Sequence, residues 1–214
     1  MKWSPQDAMK AYLHTLQLCK THFNDQDCTL GTRNLIPPQC MEFISALAAG
    51  NQSKLMVQIT SDQGITPLTI ALAVAAKHTK ALFICILHQL QDIEDCKAQL
   101  SCYNLEDVVE LVQGDPCEVI MGFKNIDFAV IDCKLEDYLR LFKIIDVNPR
   151  GSVVVASNLE RRRNGASFGE VVKGRKGVEY VTRSIGEGME LTRIRLCCKP
   201  QKKRYKRFHV TFES

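Results

Sequence analysis

The sequence predicts an α/β fold with a mostly parallel sheet, helices on both faces and an antiparallel hairpin at one edge. Three observations carry this. Between residues 54 and 156, short apolar runs alternate with helical segments. Those runs are apolar at nearly every position, as expected of strands covered on both faces. Near the end, two further strand-like runs are joined by the short connector Ile185-Gly186-Glu187-Gly188.

The elements follow in order. Ser4 is a good N-cap, Pro5 suits the first helical position and Asp7 supplies an acid in the first turn. Ala8, Tyr12, Leu16 and Cys19 then recur at helical spacing. Residues 21–38 are polar and contain two prolines, which predicts a long connection. A second helix is expected from Pro38 to Ala49, with Phe43 and Leu47 on its apolar stripe and Gly50 as its C′ residue. Strands are expected at 54–59, 81–87, 108–112, 127–131 and 152–156. Helices are expected at 67–77, capped by Thr66, weakly at 90–100, at 116–121 and at 136–145. The first of these is apolar nearly all round and should be well buried. Residues 160–177 read as an exposed loop, and 179–184 and 190–197 as the hairpin strands.

A chain of 214 residues, 45% hydrophobic and 24% charged, suits one domain. That domain is expected over 1–198, with N-terminal helices in 4–50 and a basic tail at 199–214. No apolar run approaches the ~18 residues that span a bilayer. The opening Met1-Lys2-Trp3-Ser4-Pro5 lacks the apolar core of a secretory signal. A cytoplasmic or nuclear location follows as the expectation. The 10 cysteines then read as buried thiols: none forms a C-x-x-C pair, and Cys197-Cys198 is too cramped for ordinary zinc spacing. The net charge of +4 hides an asymmetry, because residues 1–159 carry 13 basic against 18 acidic side chains and residues 160–214 carry 15 against 6. The run Lys199–Arg207 could meet an anionic partner; a solvated tail is the plainer reading.

Ligands of open α/β sheets sit beyond the carboxyl ends of the strands, where helix N-termini point their N–H groups. Here the first strand leads into Thr60-Ser61-Asp62-Gln63-Gly64-Ile65-Thr66. Ser61, Asp62 and Thr66 are polar and Gly64 is permissive, yet the segment is neither G-x-G-x-x-G nor a P-loop, which disfavours dinucleotides and nucleoside triphosphates. Later strand ends bring His88, Gly114-Asp115 and Asp132-Cys133-Lys134. Asp132 could bind a metal, contact a ligand amine or cap the next helix, with Lys134 neutralising it.

Taken in order, Lys54–Thr66, Gln113–Glu118, Ile126–Tyr138, Gly151–Leu159 and Ile185–Ile194 resemble the motifs of class I S-adenosylmethionine-dependent methyltransferases, nearest to the caffeoyl-CoA and catechol O-methyltransferases. Met1-Lys2-Trp3-Ser4-Pro5 and Glu42–Asn51 resemble a plant family assigned to that superfamily by sequence. The resemblance implies the seven-stranded Rossmann-like methyltransferase fold, S-adenosylmethionine as cofactor and a small-molecule acceptor. It also implies cofactor contacts from Ser61, Asp62, Gly64, Thr66, His88, Gly114, Asp115 and Asp132.

The pattern is altered at several positions. Gln58 stands where the family has an acid on the first strand, and Thr60 where it has the first glycine. Leu87-His88-Gln89 replaces the acid that accepts bonds from both ribose hydroxyls, removing a charge-assisted pair. Asp132 matches the first metal ligand of the metal-dependent subgroup, but Ala156-Ser157-Asn158 replaces its Asp-Asn pair. One carboxylate is a poor site for a hard cation, so no catalytic metal is expected. A catalytically inactive relative serving as a binding or regulatory module is the alternative reading.

Overall fold

The computed structural model describes residues 3–19, 38–88, 93–159, 167–173, 178–185 and 188–196. The basic run Lys199–Arg207, Cys197-Cys198, nearly all of the expected connection at 21–38 and much of 160–177 lie outside them. Two N-terminal helices, α1 (Pro5–Leu18) and α2 (Pro38–Gly50), precede a regular alternation. It runs β1 (Leu55–Thr60), α3 (Pro67–Thr79), β2 (Leu82–Leu87), α4 (Ile93–Ser101), β3 (Val109–Gln113), α5 (Pro116–Val119), β4 (Phe128–Asp132), α6 (Tyr138–Ile144) and β5 (Ser152–Ser157). The chain then forms α7 (Phe168–Val172), β6 (Val178–Ile185) and β7 (Met189–Leu196). The strand order is β3-β2-β1-β4-β5-β7-β6. Only β7 runs against the rest, pairing antiparallel with both β5 and β6.

Strand side chains alternate between two cores. Met56, Phe83, Cys85, Phe128, Val130, Val153 and Val155 face one core, shared with α2, α3 and α4. Val57, Ile84, Ile86, Ala129, Ile131 and Val154 face the other, shared with α5, α6 and α7. This explains the unbroken apolar runs: a period of two that is buried on both faces leaves no polar phase. On the second face the Phe142 and Phe168 rings stack at 4.0 Å, joining α6 to α7.

Helix α3 is buried from Leu68 to Ala76, and four alanines along it let the helix lie close to the sheet. Its start is fixed locally. The Thr66 side chain accepts from the Thr69 N–H and the Thr69 hydroxyl accepts from the Thr66 N–H, a reciprocal cap contributing about 1 kcal/mol. Asp127 fastens the lower end of β4 to β1: its Oδ2 accepts from the N–H groups of Lys54 at 2.7 Å and Leu55 at 3.2 Å.

The N-terminal helices depart from the sequence reading in which faces they bury. Of the residues expected inward along α1, Ala8 and Cys19, the C-cap residue, are buried, but Tyr12 is exposed and Ala11 and Thr15 turn inward instead. In α2, Met41, Ile44 and Ala48 are buried and Phe43 is 44% exposed. The cause is close helix packing: α1 lies on α2 through small side chains, with the Thr15 hydroxyl donating to Ser45 Oγ at 2.9 Å. Gly50 is the last residue of α2 rather than a C′ residue, and a Cβ there would run into the Trp3 ring.

Candidate functional site

Parallel pairing brings the carboxyl ends of five strands level. Thr60 of β1 pairs with Leu87 of β2, and Leu87 with Gln113 of β3. Ile59 pairs with Ile131 of β4, and Asp132 with Ser157 of β5. The residues just beyond line a cleft of about 360 Å³, within the size range of small-molecule sites. Ser61, His88, Asp115 and Lys134 bring polar groups to it, and Pro116, Leu135 and Leu141 give it apolar wall. It lies by the switch point, where β1 is flanked by β2 on one side and β4 on the other.

Behind the cleft, Asp132 joins three strand ends. Its Oδ2 accepts from the Ser61 hydroxyl at 2.5 Å and the Ser61 N–H at 3.1 Å. Its Oδ1 accepts from the Asn158 amide at 2.8 Å and the Lys134 N–H at 2.9 Å. The residue is only 3% exposed. A buried carboxylate needs such donors, and four of them hold the β1, β4 and β5 ends in one arrangement. Of the three roles open to Asp132 in the sequence, the helix cap is not the one observed: α6 begins six residues later, behind Asp137. Nor does the Lys134 ammonium pair with it. Lys134 Nζ reaches Asp62 Oδ1 at 3.2 Å instead, across the cleft floor from β4 to the β1 loop.

The other sequence candidates separate into two groups. Ser61, His88 and Asp115 line the cleft, and Asp62 adjoins it through Lys134. Asp115 is also the N-cap of α5, its Oδ1 accepting from the Glu118 N–H at 3.0 Å. Gly114 turns the chain between β3 and Asp115 with φ +156°, and a Cβ there would lie 3.0 Å from Val119 Cγ2. Thr66 and Gly64 are not in the cleft lining. Thr66 serves the cap of α3. Gly64 faces Cys96 of α4, where a Cβ would have the sulfur at an ordinary 3.8 Å.

Thr60, in the place of the resembled family's first glycine, is buried and closes the loop on itself. Its hydroxyl donates to Asp62 Oδ2 at 3.3 Å and accepts from the Asp62 N–H at 3.1 Å. Gln58 lies beneath it. Its amide donates to Thr66 Oγ1 at 3.4 Å, while its Oε1 is buried with no hydrogen-bond partner among the described residues.

Sequence reasoning did not single out Cys117, Leu135, Glu136, Asp137 or Leu141, all of which line the cleft. They follow β3 and β4 closely, and only the register shows that these loops meet. Burial pushes the Cys117 thiol up; Arg140 opposes this, and Asp115 and Asp137 reinforce it. The protonated thiol is a weak nucleophile. Among the described residues no set of three His, Cys, Asp or Glu side chains gathers to hold a metal. No helix among them is long and apolar enough to cross a membrane.

Solved structures share this fold. A methyltransferase from Geobacter sulfurreducens is similar with a TM-score of 0.61 at 21% identity, over 87% of this chain and 89% of that one. A Staphylococcus aureus protein assigned as a caffeoyl-CoA O-methyltransferase gives 0.62 at 15% identity, over 86% and 99%. An O-methyltransferase from Bacillus cereus, solved with S-adenosylhomocysteine (SAH), gives 0.58 at 15% identity, over 86% and 90%. These likenesses show the Rossmann-like methyltransferase fold expected from the sequence. No curated protein matches by sequence. Residues 1–212 match the model of the family described as "Protein of unknown function (DUF1442)", and the chain belongs to that family.

Proposed function

We propose that this chain is a methyltransferase-like protein that takes S-adenosylmethionine in the cleft above β1–β4, with a small molecule as acceptor. One observation carries the reading: a single cleft joins Ser61, His88, Asp115 and Lys134, one from beyond each of those strands. Their placement fits the adenosyl part of the cofactor. Leu135, Pro116 and Leu141 offer apolar surface for a purine. His88 stands at the end of β2 and offers one imidazole bond where the resembled family has a carboxylate. Asp62 and the Ser61 loop are left for the methionyl end, and beneath them Gln58 Oε1 is buried with no hydrogen-bond partner among the described residues.

When bound, the cofactor supplies a methyl group on a sulfonium. The chain's share is to hold and align. The Asp132 bonds fix the Ser61 loop, and Pro116, Leu135 and Leu141 give the cleft apolar wall. Asp132 is not assigned as a base, because four donors already engage its oxygens. Catalysis then rests on alignment.

A second reading is a non-catalytic module that keeps the pocket and meets an anionic partner through Lys199–Arg207. The Gln58 and Thr60 replacements favour it, together with the excess of 15 basic over 6 acidic side chains in residues 160–214. Calorimetric titration with S-adenosylmethionine and SAH tests the common part. Saturable binding that is lost in His88→Trp, a change at the exposed rim of the cleft, supports the site. Silence at millimolar ligand in the unmodified chain removes it. Formation of SAH with an acceptor present separates an enzyme from a module. A salt-sensitive nucleic-acid shift that disappears on deleting residues 199–214 supports the anionic partner.

A further inference from the structure

On the far side of α3 from the cleft, two histidines meet. His14 of α1 places its Nδ1 3.3 Å from Nε2 of His78, in the last turn of α3. The rings lie edge to face, 79° apart, with centroids separated by 5.4 Å. Both side chains are partly exposed, so a small ion can reach them from solvent.

We propose that His14 and His78 form a two-histidine site for a divalent transition-metal ion, which clips α1 to α3. The geometry is the first reason. Two nitrogens each bound about 2.0–2.1 Å from a tetrahedral ion stand about 3.3–3.4 Å apart. The observed separation is already that edge, so the ion would enter without moving either helix. The second reason is the state of the rings. Burial, followed by the neighbouring charges, holds both imidazoles below the ordinary histidine value. Neutral imidazole is the form that binds metals. As they stand, one ring must donate its N–H to the other. Moving that proton to the ring's second nitrogen turns both lone pairs to the gap, with no net loss of protons.

The surroundings set the limits of the site. Lys77 acts on both rings and Lys10 on His78, and these cations oppose a second positive charge. Asp7 acts on His78 in the opposite sense. No third His, Cys, Asp or Glu ligand completes the set among the described residues. With only described residues as donors, the remaining coordination positions fall to water, and the affinity is that of a two-imidazole chelate. Imidazole pairs favour nickel, copper and zinc over magnesium or calcium. Because α1 packs chiefly on α2 and α3, an ion bridging His14 to His78 would stabilise the N-terminal helices in particular.

Titration of the full chain with Ni²⁺ and with Co²⁺ tests this, using His14→Gln and His78→Gln in parallel. The unmodified chain is expected to bind one Ni²⁺ saturably and to melt at higher temperature with it. Each variant is expected to bind at least tenfold more weakly and to show no thermal shift, while keeping its metal-free melting temperature within a few degrees. The Co²⁺ complex is expected to lack the near-ultraviolet charge-transfer band of a thiolate ligand. Equal Ni²⁺ binding by all three proteins, a thiolate band, or no saturable binding at millimolar metal would overturn the proposal. If a variant does not fold, the missing thiolate band and loss of the Ni²⁺-induced shift in the other variant still decide the matter.

Discussion

The Ser61 hydroxyl donates to Asp132 Oδ2 at 2.5 Å, joining the loop after β1 to the end of β4 across 71 residues of sequence. The neighbouring Ser61 N–H adds a second bond to the same oxygen, so loop and strand end move together. Replacing Asp132 by Asn removes the charge and sets an amide against donors that need an acceptor. The expected cost is about 2–4 kcal/mol of stability, read from urea unfolding. Ser61→Ala removes one bond of the four and is expected to cost about 1–2 kcal/mol. Both variants should bind SAH more weakly than the unmodified chain if the loop shapes the pocket.

The two glycines singled out in the sequence should respond differently to substitution. Gly114→Ala must place a Cβ 3.0 Å from Val119 at φ +156°, which side chains avoid. A loss of about 1–3 kcal/mol is expected. Gly64→Ala meets only Cys96, at an ordinary distance of 3.8 Å. Its effect should stay within about 0.5 kcal/mol, read from the same unfolding curves.

Alkaline pH should destabilise the fold through Cys85. Burial pushes this thiol from 9.0 up to about 12, partly offset by a bond with Thr69 and reinforced by Cys96. The unfolded chain therefore loses its proton near pH 9 while the folded chain keeps it. The stability is complete below pH 9 and is lost as pH rises from there toward 12, at about 1 kcal/mol per pH unit for this group. Unfolding measured from pH 8 to pH 11 should show this slope, and Cys85→Ala should show a shallower one.

Much of the fold was legible because burial on both faces leaves a plain mark in sequence. The five parallel strands were each placed within a residue or two of their observed ends, and Ser4 and Thr66 marked helix starts. What the chain did not disclose was which face of α1 turns inward. Tyr12 and Leu16 have the right spacing, but Ala11 and Thr15 allow the closer approach to α2, and packing decided against hydrophobicity. The site was legible in part. Ser61, His88 and Asp115 follow strand ends directly, so their meeting follows from parallel register. Gly64 and Thr66 lie further along the loop, where the cap of α3 carries them away from the cleft. The Asp132 bonds could not be read at all, since Ser61 and Asn158 are far from it in sequence.

Ligand binding in the cleft should not depend on a divalent cation. Asn158 turns an N–H donor toward Asp132 Oδ1, and the remaining bonds to that carboxylate also come from donors. A cation would have to displace them. SAH affinity is expected to be the same within twofold in EDTA and in millimolar Mg²⁺. A tenfold gain with Mg²⁺ would show that the carboxylate opens to a metal.

The most direct test maps the ligand onto the chain by amide ¹H–¹⁵N chemical shifts during titration with SAH. Saturable shifts clustered at Ser61, His88, Asp115, Lys134 and Asp137, with the amides of β6 unmoved, are the predicted result. Shifts clustered away from the strand ends, or none at millimolar ligand, would contradict an adenosyl site in this cleft.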